Sequence, residues 1–307
     1  MARPALAATR AIEIINFCAA HPTESFTLSD FVERLGINVA SLHAILAVLT
    51  QSGYLARHSR HRTYTLGPAL VAVGTAALEH HASIEFAREE ARRLSEHLDL
   101  DVAVTARAGD EVVFVARSGS HRPRGTPTHV GMRMPLRPPM GSIFYAWSDG
   151  PTVETWLRSS PAKSGAELDR YRRELVAVRA RGYSVALEVD LRRELGHALE
   201  ELTERPHDAA RGAVDQLVDE LGRQGNHLET IDPNATYDVS SIAGAVFDAS
   251  SQVALALNLI GFAPGLTGKE VAAYGDEVVS AGVVISKRTR GQPPTELLAG
   301  VSADDGA

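Results

Sequence analysis

Cysteine is nearly absent: Cys18 is the one thiol in 307 residues, which excludes a disulfide framework within the chain. It shares the apolar side of a predicted helix with Ala11, Ile14 and Ile15, so it reads as a small core residue. No apolar run approaches the roughly 20 residues a bilayer-spanning helix needs. No N-terminal segment joins a basic start to a continuous apolar core and a cleavage site, so the expected location is the cytoplasm, with no membrane partner. Catalytic signatures are missing too. There is no Gly-x-Ser-x-Gly elbow, and the stretch from Gly261 to Lys269 fails as a phosphate loop. It has Ala263 where a glycine is required and Glu270 where Ser or Thr would hold magnesium. The chain is therefore not expected to be an enzyme. His58 with His61, or His80 with His81, could supply two metal ligands, but a stable zinc site wants at least three. No cofactor is expected, and a metal-responsive regulator is only a weaker alternative.

What is present suits a two-domain protein. A hydrophobic content of 44% supports buried cores in both domains. The formal net charge of −7 argues at first against nucleic acid, whose binding is driven largely by phosphate neutralisation. Its distribution reverses that inference. The first 67 residues carry Arg3, Arg10, Arg34, Arg57, Arg60 and Arg62 against Glu13, Glu24, Asp30 and Glu33, a balance of +2 that leaves −9 for the remainder. A small DNA-binding head on an acidic body fits this asymmetry.

The head centres on Phe26 to Gly67. Leu28, Phe31, Val32 and Leu35 fall at i, i+3, i+4 and i+7, and Leu42, Ile45, Leu46 and Leu49 repeat that spacing after Gly36 to Asn38. Thr27, with Asp30 three residues on, can cap the first helix and Asn38 the second. With a preceding helix from Thr9 to Ala20, this is a helix-turn-helix whose second helix can enter a major groove. That helix's outward face offers Ala40, Ala44, Ala47 and Gln51, flanked by Ser41 and His43. Tyr54 to Arg57 and Thr63 to Leu66 form short strands around a loop holding Arg57, His58, Arg60, His61 and Arg62 with no acid among them, a candidate DNA-binding wing.

Beyond Gly67-Pro68, Leu70, Val73, Ala77 and Leu78 mark a linker helix whose apolar stripe suits a second copy of the chain, since a palindromic operator requires two heads. Ile84 to Leu98 continue as a helix. Asp101 to Ala106 and Glu111 to Ser118 read as a hairpin around Gly109-Asp110. After a polar stretch from Gly119 to Thr128 come another strand, a turn from Met134 to Gly141, helices around 142–147, 152–157 and 168–181, and a strand from Tyr183. Strands at 240–247 and 252–260 and a helix from Thr267 to about Thr289 complete an α+β body with an antiparallel sheet. The Gly/Pro/Ala/Asp-rich end, 291–307, reads as a flexible tail.

Thr9-Arg10-Ala11-Ile12, Gly36 to Leu49, Ser52-Gly53-Tyr54-Leu55 and Tyr64-Thr65-Leu66-Gly67 resemble the head of IclR-family transcriptional regulators. Met134-Pro135-Leu136 with Met140-Gly141, Arg181-Gly182-Tyr183-Ser184, and Ser241 to Asp248 resemble that family's effector-domain signatures. The resemblance implies a winged helix-turn-helix over 1–67, a linker helix over 68–82 and a GAF-like effector-binding domain over 83–290, assembled as a homodimer or a dimer of dimers. Three departures stand out. Val39, Ala40, Ser41 and Ala44 occupy positions where the family has Lys-Ser-Thr and an Arg, and Arg137-Pro138-Pro139 replaces a His-Ala-Thr segment. An insertion at about 190–235 suggests two helices, from Leu195, Leu199 and Leu202 and from Val214, Leu217, Val218 and Leu221. Extra oligomer contacts and a pocket lid are equally open roles for it.

The expected function is a ligand-responsive regulator of a catabolic operon, with an operator duplex and a small organic or aromatic acid as partners. A small-molecule-binding module without DNA activity is the alternative. Expected DNA-contacting residues are Arg10, Thr27, Asn38, Ser41, His43, Arg57, Arg60, Arg62 and Tyr64. The resemblance places the effector at Met134, Met140, Gly141, Ala186, Val239, Ser241, Asn258 and Ile260. Arg122, Arg124, Arg133 and Arg137 are candidate carboxylate partners by charge.

Overall fold

Two reciprocal hydrogen bonds begin the second helix. Asp30 N–H donates to Thr27 Oγ1 (3.2 Å), and Thr27 N–H donates to the Asp30 carboxylate (2.7 Å). The computed structural model describes residues 5–120, 127–160, 164–224 and 228–301. They form two units, 1–81 with 198–213, and 82–197 with 214–307. The first contains α1 (Leu6–Ala20), α2 (Leu28–Leu35), α3 (Val39–Gln51), β1 (Leu55–Arg57), β2 (Tyr64–Leu66) and α4 (Ala69–His80). Gly36 stops α2 in the left-handed conformation (φ 64°), where a side chain would be strained, and Asn38 Oδ1 accepts from Ser41 N–H (2.9 Å) to start α3.

The apolar stripes then meet. Ile14, Phe17, Cys18, Phe26, Phe31, Leu42 and Leu46 form one core, with the Phe17 and Phe26 rings 4.7 Å apart. Each such ring taken out of water contributes roughly 1.5–3 kcal/mol. Burial pushes the Cys18 thiol up to about 12, in keeping with a packing role. Helix α4 buries none of its residues, and Val71 is 71% exposed.

The second unit continues with α5 (Ala82–Leu98), β3 (Asp101–Ala108), β4 (Glu111–Ser118), β5 (Arg133–Pro135), α6 (Ser142–Tyr145), α7 (Gly150–Arg158), α8 (Gly165–Arg181) and β6 (Tyr183–Ala186). In chain order follow α9 (Val189–Glu204) and α10 (Asp208–Gln224), of which 198–213 count with the first unit, then β7 (Thr236–Tyr237), β8 (Ser241–Phe247), β9 (Val253–Ile260), β10 (Leu266–Thr267), α11 (Gly268–Arg288) and α12 (Thr295–Val301). Six strands make one antiparallel sheet in the order β5-β4-β3-β9-β8-β6. Strand alternation sends Val102, Val104, Ile242, Val246, Leu255, Leu257 and Leu259 into a core with α5 and α11. At Gly282 the helix approaches β8 so closely that a Cβ would stand 2.3 Å from Ala245 O. On the opposite face, α6 and α8 bury Ile143, Phe144, Leu175 and Val178 against Ala245, Phe247 and Ala256.

The end of the chain departs from expectation. Residues 295–301, read as part of a flexible tail, form α12 with Leu297 buried. Backbone bonds from Gly291 N–H to Ser286 O and from Gln292 N–H to Asp248 O steer the segment back onto the body. One buried leucine in a Gly/Pro/Ala context leaves no periodic signal. Residues 302–307 lie outside the described set.

Candidate functional site

On the head, the face of α3 opposite its core stripe is open to solvent at Val39, Ala40, His43, Ala44, Ala47, Val48 and Gln51, while Ser41 is half-buried. This is a nearly uncharged surface of small apolar groups suited to thymine methyls, with His43 and Gln51 able to hydrogen-bond a base edge. Arg10 is half-buried on α1.

The wing turns where Arg62 adopts φ 55°, with Arg62 N–H donating to His58 O (2.8 Å) and His58 N–H to Thr63 O (2.8 Å). His61 N–H donates to His58 Nδ1 (3.2 Å). Arg57, Arg60 and Arg62 are all exposed, so the loop presents cations to solvent without an acid beside them in sequence. Such an array suits phosphates or a minor groove.

Three of the expected DNA-contacting residues carry structural roles. Tyr64 is 7% exposed in the head core, because its alternation with the outward Thr65 turns it inward, and Phe26 pairs with it across an isolated bridge. The Thr27 hydroxyl is spent on the cap of α2. Asn38 is exposed but gives its carbonyl oxygen to the cap of α3.

In the body, cross-strand register builds a floor on the sheet face opposite α5 and α11. One row runs Asp101–Ile260–Ser241–Ala186; the next runs Arg117–Ala103–Asn258–Ala243–Ser184; a third pairs Thr105, Ala256 and Ala245. Ala186, Ser241, Asn258 and Ile260, all expected effector contacts, thus share one face and two adjacent rows. The floor is mostly alanine and serine, and most of it is buried. Asn258 Nδ2 donates to Ala103 O (3.2 Å), Thr105 Oγ1 (3.1 Å) and Ala256 O (3.2 Å), which fixes the amide plane. Met140 and Gly141 lead directly into α6, which covers the same face further along.

Two expected contacts fall elsewhere. Val239 packs in the core on the α5 and α11 side, one of the residues leading into β8 before its alternation begins. Met134 sits on the edge strand β5, three strands from β9 and level with Val112 and Arg107 rather than with Asn258. Two expected carboxylate partners already hold protein carboxylates: Arg133 pairs with Glu111 (2.6 Å), and Arg137 reaches Asp215 (2.8 Å) and Asp219 (3.2 Å). Arg122 and Arg124 lie outside the described residues.

Sequence reasoning missed two arginines near this face. Arg117 is 11% exposed and pairs with Asp101 at 3.0 Å. A bulge in the β3–β4 ladder shifts its partner to Ala103; an unbroken hairpin register would have set it opposite Val102, on the other face. Arg192, on α9, donates from Nε to Leu187 O (3.0 Å) and brings Nη1 to 3.8 Å from Met140 Sδ. Its spacing from Leu195 and Leu199 gave a signal, since it falls on their helical stripe. A separate open groove of about 290 Å³ between α6, α7 and α8 includes Tyr145, Val153, Glu154 and Arg172 but none of the expected effector residues. No group of three or more potential metal ligands occurs among the described residues.

Residues 7–59 match the family model of the IclR helix-turn-helix domain, and residues 75–193 match that of the bacterial transcriptional regulator IclR C-terminal domain. The second match ends inside α9. The HTH-type transcriptional regulator BhcR of Paracoccus denitrificans (strain Pd 1222) is 24% identical over 182 residues, 57% of this chain and 64% of that protein, so the match spans less than two thirds of the relative's length. Among solved structures, an IclR transcriptional regulator from Alicyclobacillus acidocaldarius aligns with a TM-score of 0.63 at 18% identity, covering 94% of this chain and 100% of the other. An IclR homologue from Microbacterium hydrocarbonoxydans, in complex with 4-hydroxybenzoate, aligns with a TM-score of 0.60 at 16% identity over 92% and 99% of the two chains. Pseudomonas aeruginosa HmgR gives 0.57 at 18% identity over 93% and 99%. At these identities the structural likeness concerns the fold.

Proposed function

This chain belongs to the IclR family of bacterial transcriptional regulators, and on that premise we propose that its operator affinity is set by a small organic or aromatic acid bound in the body. The observation that carries the effector reading is the row geometry: Ala186, Ser241, Asn258 and Ile260 share one face rich in small residues, with the Asn258 amide held in a fixed orientation and the Ser241 hydroxyl beside it in the next row. Such a mostly apolar surface with a few placed hydrogen-bonding groups is what a small-ligand site requires. The 4-hydroxybenzoate held by the Microbacterium homologue supplies a first compound to test.

The DNA-facing role divides between a poorly charged α3 and a cationic wing. Arg57, Arg60 and Arg62 bind phosphate or minor groove, while α3 reads few bases by shape and methyl contact. The chain works in the cytoplasm as a homodimer or dimer of dimers; the unburied apolar residues of α4, Val71 and Val73, support a second copy at that helix. A ligand shifts operator affinity only by binding the two states of the head unequally.

The test is a mobility shift on the gene's own upstream region. Wild-type protein gives a sequence-selective, salt-sensitive shift, and Arg60→Ala with Arg62→Ala weakens it. Absence of such a shift on every adjacent promoter would leave only a ligand-binding module. For the site, calorimetry on Ser241→Phe is expected to show effector binding lost; unchanged affinity places the site elsewhere.

A further inference from the structure

The groove between α6, α7 and α8 belongs neither to the DNA-facing surface nor to the effector floor. Its volume is about 290 Å³, and it lies at the opposite end of α6 from Met140 and Gly141. An apolar cavity of about half that size holds one benzene molecule, so the space suits a molecule of one or two rings. The apolar wall comes from Tyr145, Ala146, Val153, Leu175 and Val176. Leu175 is buried in the core beneath, while Val176, next to it on α8, is 69% exposed and stands on the solvent side.

The ionised groups around the groove are already held by the protein. Arg172 donates to both oxygens of Glu154 (2.9 and 3.1 Å) and to Asp169 (2.7 Å). Arg179 is turned onto backbone, donating to Ala146 O (2.6 Å) and Ser148 O (3.5 Å). A charged ligand would leave water here without gaining a free counter-charge, which disfavours it. Tyr145 differs from these groups. One face of its ring is stacked on Trp156 (centroids 5.0 Å apart, 20° between planes), and the Arg107 guanidinium lies over the ring at 5.2 Å. With its faces covered, the ring can show the groove only its edge, which carries the hydroxyl. Tyr145 is 6% exposed, and its hydroxyl makes no hydrogen bond among the described residues, whereas that of Tyr171 is bonded to Arg170 and Ser160. Burial pushes the Tyr145 hydroxyl up from its usual range, with the Arg107 cation opposing, so it is a neutral donor at pH 7. Beside it, Ser148 spends its proton on Phe144 O (3.4 Å), which leaves its oxygen free to accept.

We propose that this groove is a ligand site of the body separate from the effector floor, taking a neutral aromatic molecule of one or two rings whose single hydroxyl or amide bonds the Tyr145 hydroxyl. The ring lies along Val153, Leu175 and Val176, and the polar end meets Tyr145 and Ser148. An apolar slot with a few oriented hydrogen-bonding groups is the arrangement small-molecule sites share. The inference does not rest on the effector floor.

Calorimetry on the full chain tests it with phenol, benzyl alcohol, benzamide and 2-quinolinone, with benzoate as the charged counterpart of benzamide and toluene as the ligand without a polar group. At least one of the four neutral compounds is expected to bind saturably, one per chain, and benzamide to exceed benzoate by roughly tenfold. Val176→Trp, at an exposed position on the groove wall, should abolish this binding. Tyr145→Phe keeps the ring stack and should weaken it about threefold to tenfold while leaving toluene unchanged. Ser241→Phe, on the effector floor, should leave it intact. Failure of all four compounds to bind overturns the proposal. So does binding that survives Val176→Trp and is lost in Ser241→Phe, which would put the ligand on the floor. An unchanged affinity in Tyr145→Phe removes the hydroxyl from its role and overturns it too. Where circular dichroism shows Val176→Trp unfolded, Tyr145→Phe decides. Sedimentation of Val176→Glu excludes the other occupant: an assembly smaller than the wild type would mean that a second copy of the chain covers the groove, against the proposal.

Discussion

The guanidinium carbon of Arg57 lies 5.8 Å from the centre of the Tyr64 ring, so an exposed wing cation rests on a residue of the head core. Tyr64 therefore supports the DNA-facing surface from beneath it. Tyr64→Phe is expected to keep operator affinity within about twofold, since ring packing and the cation–π contact survive. Tyr64→Ala should destabilise the head by roughly 3–5 kcal/mol. Thermal unfolding beside fluorescence anisotropy on labelled operator separates the two effects. A large affinity loss in Tyr64→Phe at unchanged stability would mean that the hydroxyl touches DNA.

The wing carries three exposed arginines, and the recognition helix contributes almost no charge. Arg60→Ala with Arg62→Ala should flatten the dependence of log affinity on log salt by up to roughly 1.8, about 0.9 for each phosphate no longer neutralised. The weakening should be similar on operator and unrelated duplex. An effect confined to one sequence would assign these side chains to base reading.

Asn258 has its amide nitrogen held by two carbonyls and a hydroxyl. Asn258→Asp would set a carboxylate against the Ala103 and Ala256 carbonyls. It is expected to cost stability on the order of 1–3 kcal/mol and more than Asn258→Ala does. Urea midpoints measure this directly. An Asp variant as stable as the parent would show that the amide is not held this way.

Cys18 gives a pH-dependent prediction. Burial raises its thiol from 9.0 to about 12, so the folded head favours the protonated form. That contribution to stability is complete below pH 9.0 and is lost as pH rises towards 12. Stability of the wild type should fall more steeply than that of Cys18→Ala across this range. A maleimide should label Cys18 only on unfolding; rapid labelling of the native chain would contradict the burial.

Periodicity made the head legible. The spacings from Leu28 to Leu49 gave both helices, and Thr27 and Asn38 gave their starts, because caps and amphipathic stripes are local properties of the chain. The body's strands were legible for the same reason, as was the hairpin around Gly109-Asp110, but the order of the sheet and its exact register were not. The bulge that turns Arg117 onto the floor depends on one extra residue in a ladder, and the separation of Met134 from Asn258 depends on strand order. Tyr64 looked like a wing residue and proved to be core, since a strand of three residues carries too little alternation to fix its inward side. Arg192 escaped notice because the leucines alone define the periodicity of the insertion.

The central claim is that one chain joins operator binding to occupancy of the body by an acid. Anisotropy titration of the upstream duplex, with 4-hydroxybenzoate and other small carboxylates added to wild-type protein and to Ser241→Phe, tests this directly. A carboxylate that shifts wild-type operator affinity about tenfold, a coupling of about 1.4 kcal/mol, while leaving Ser241→Phe unmoved is the predicted result. An operator affinity that stays constant in the presence of an acid shown by calorimetry to bind would contradict it.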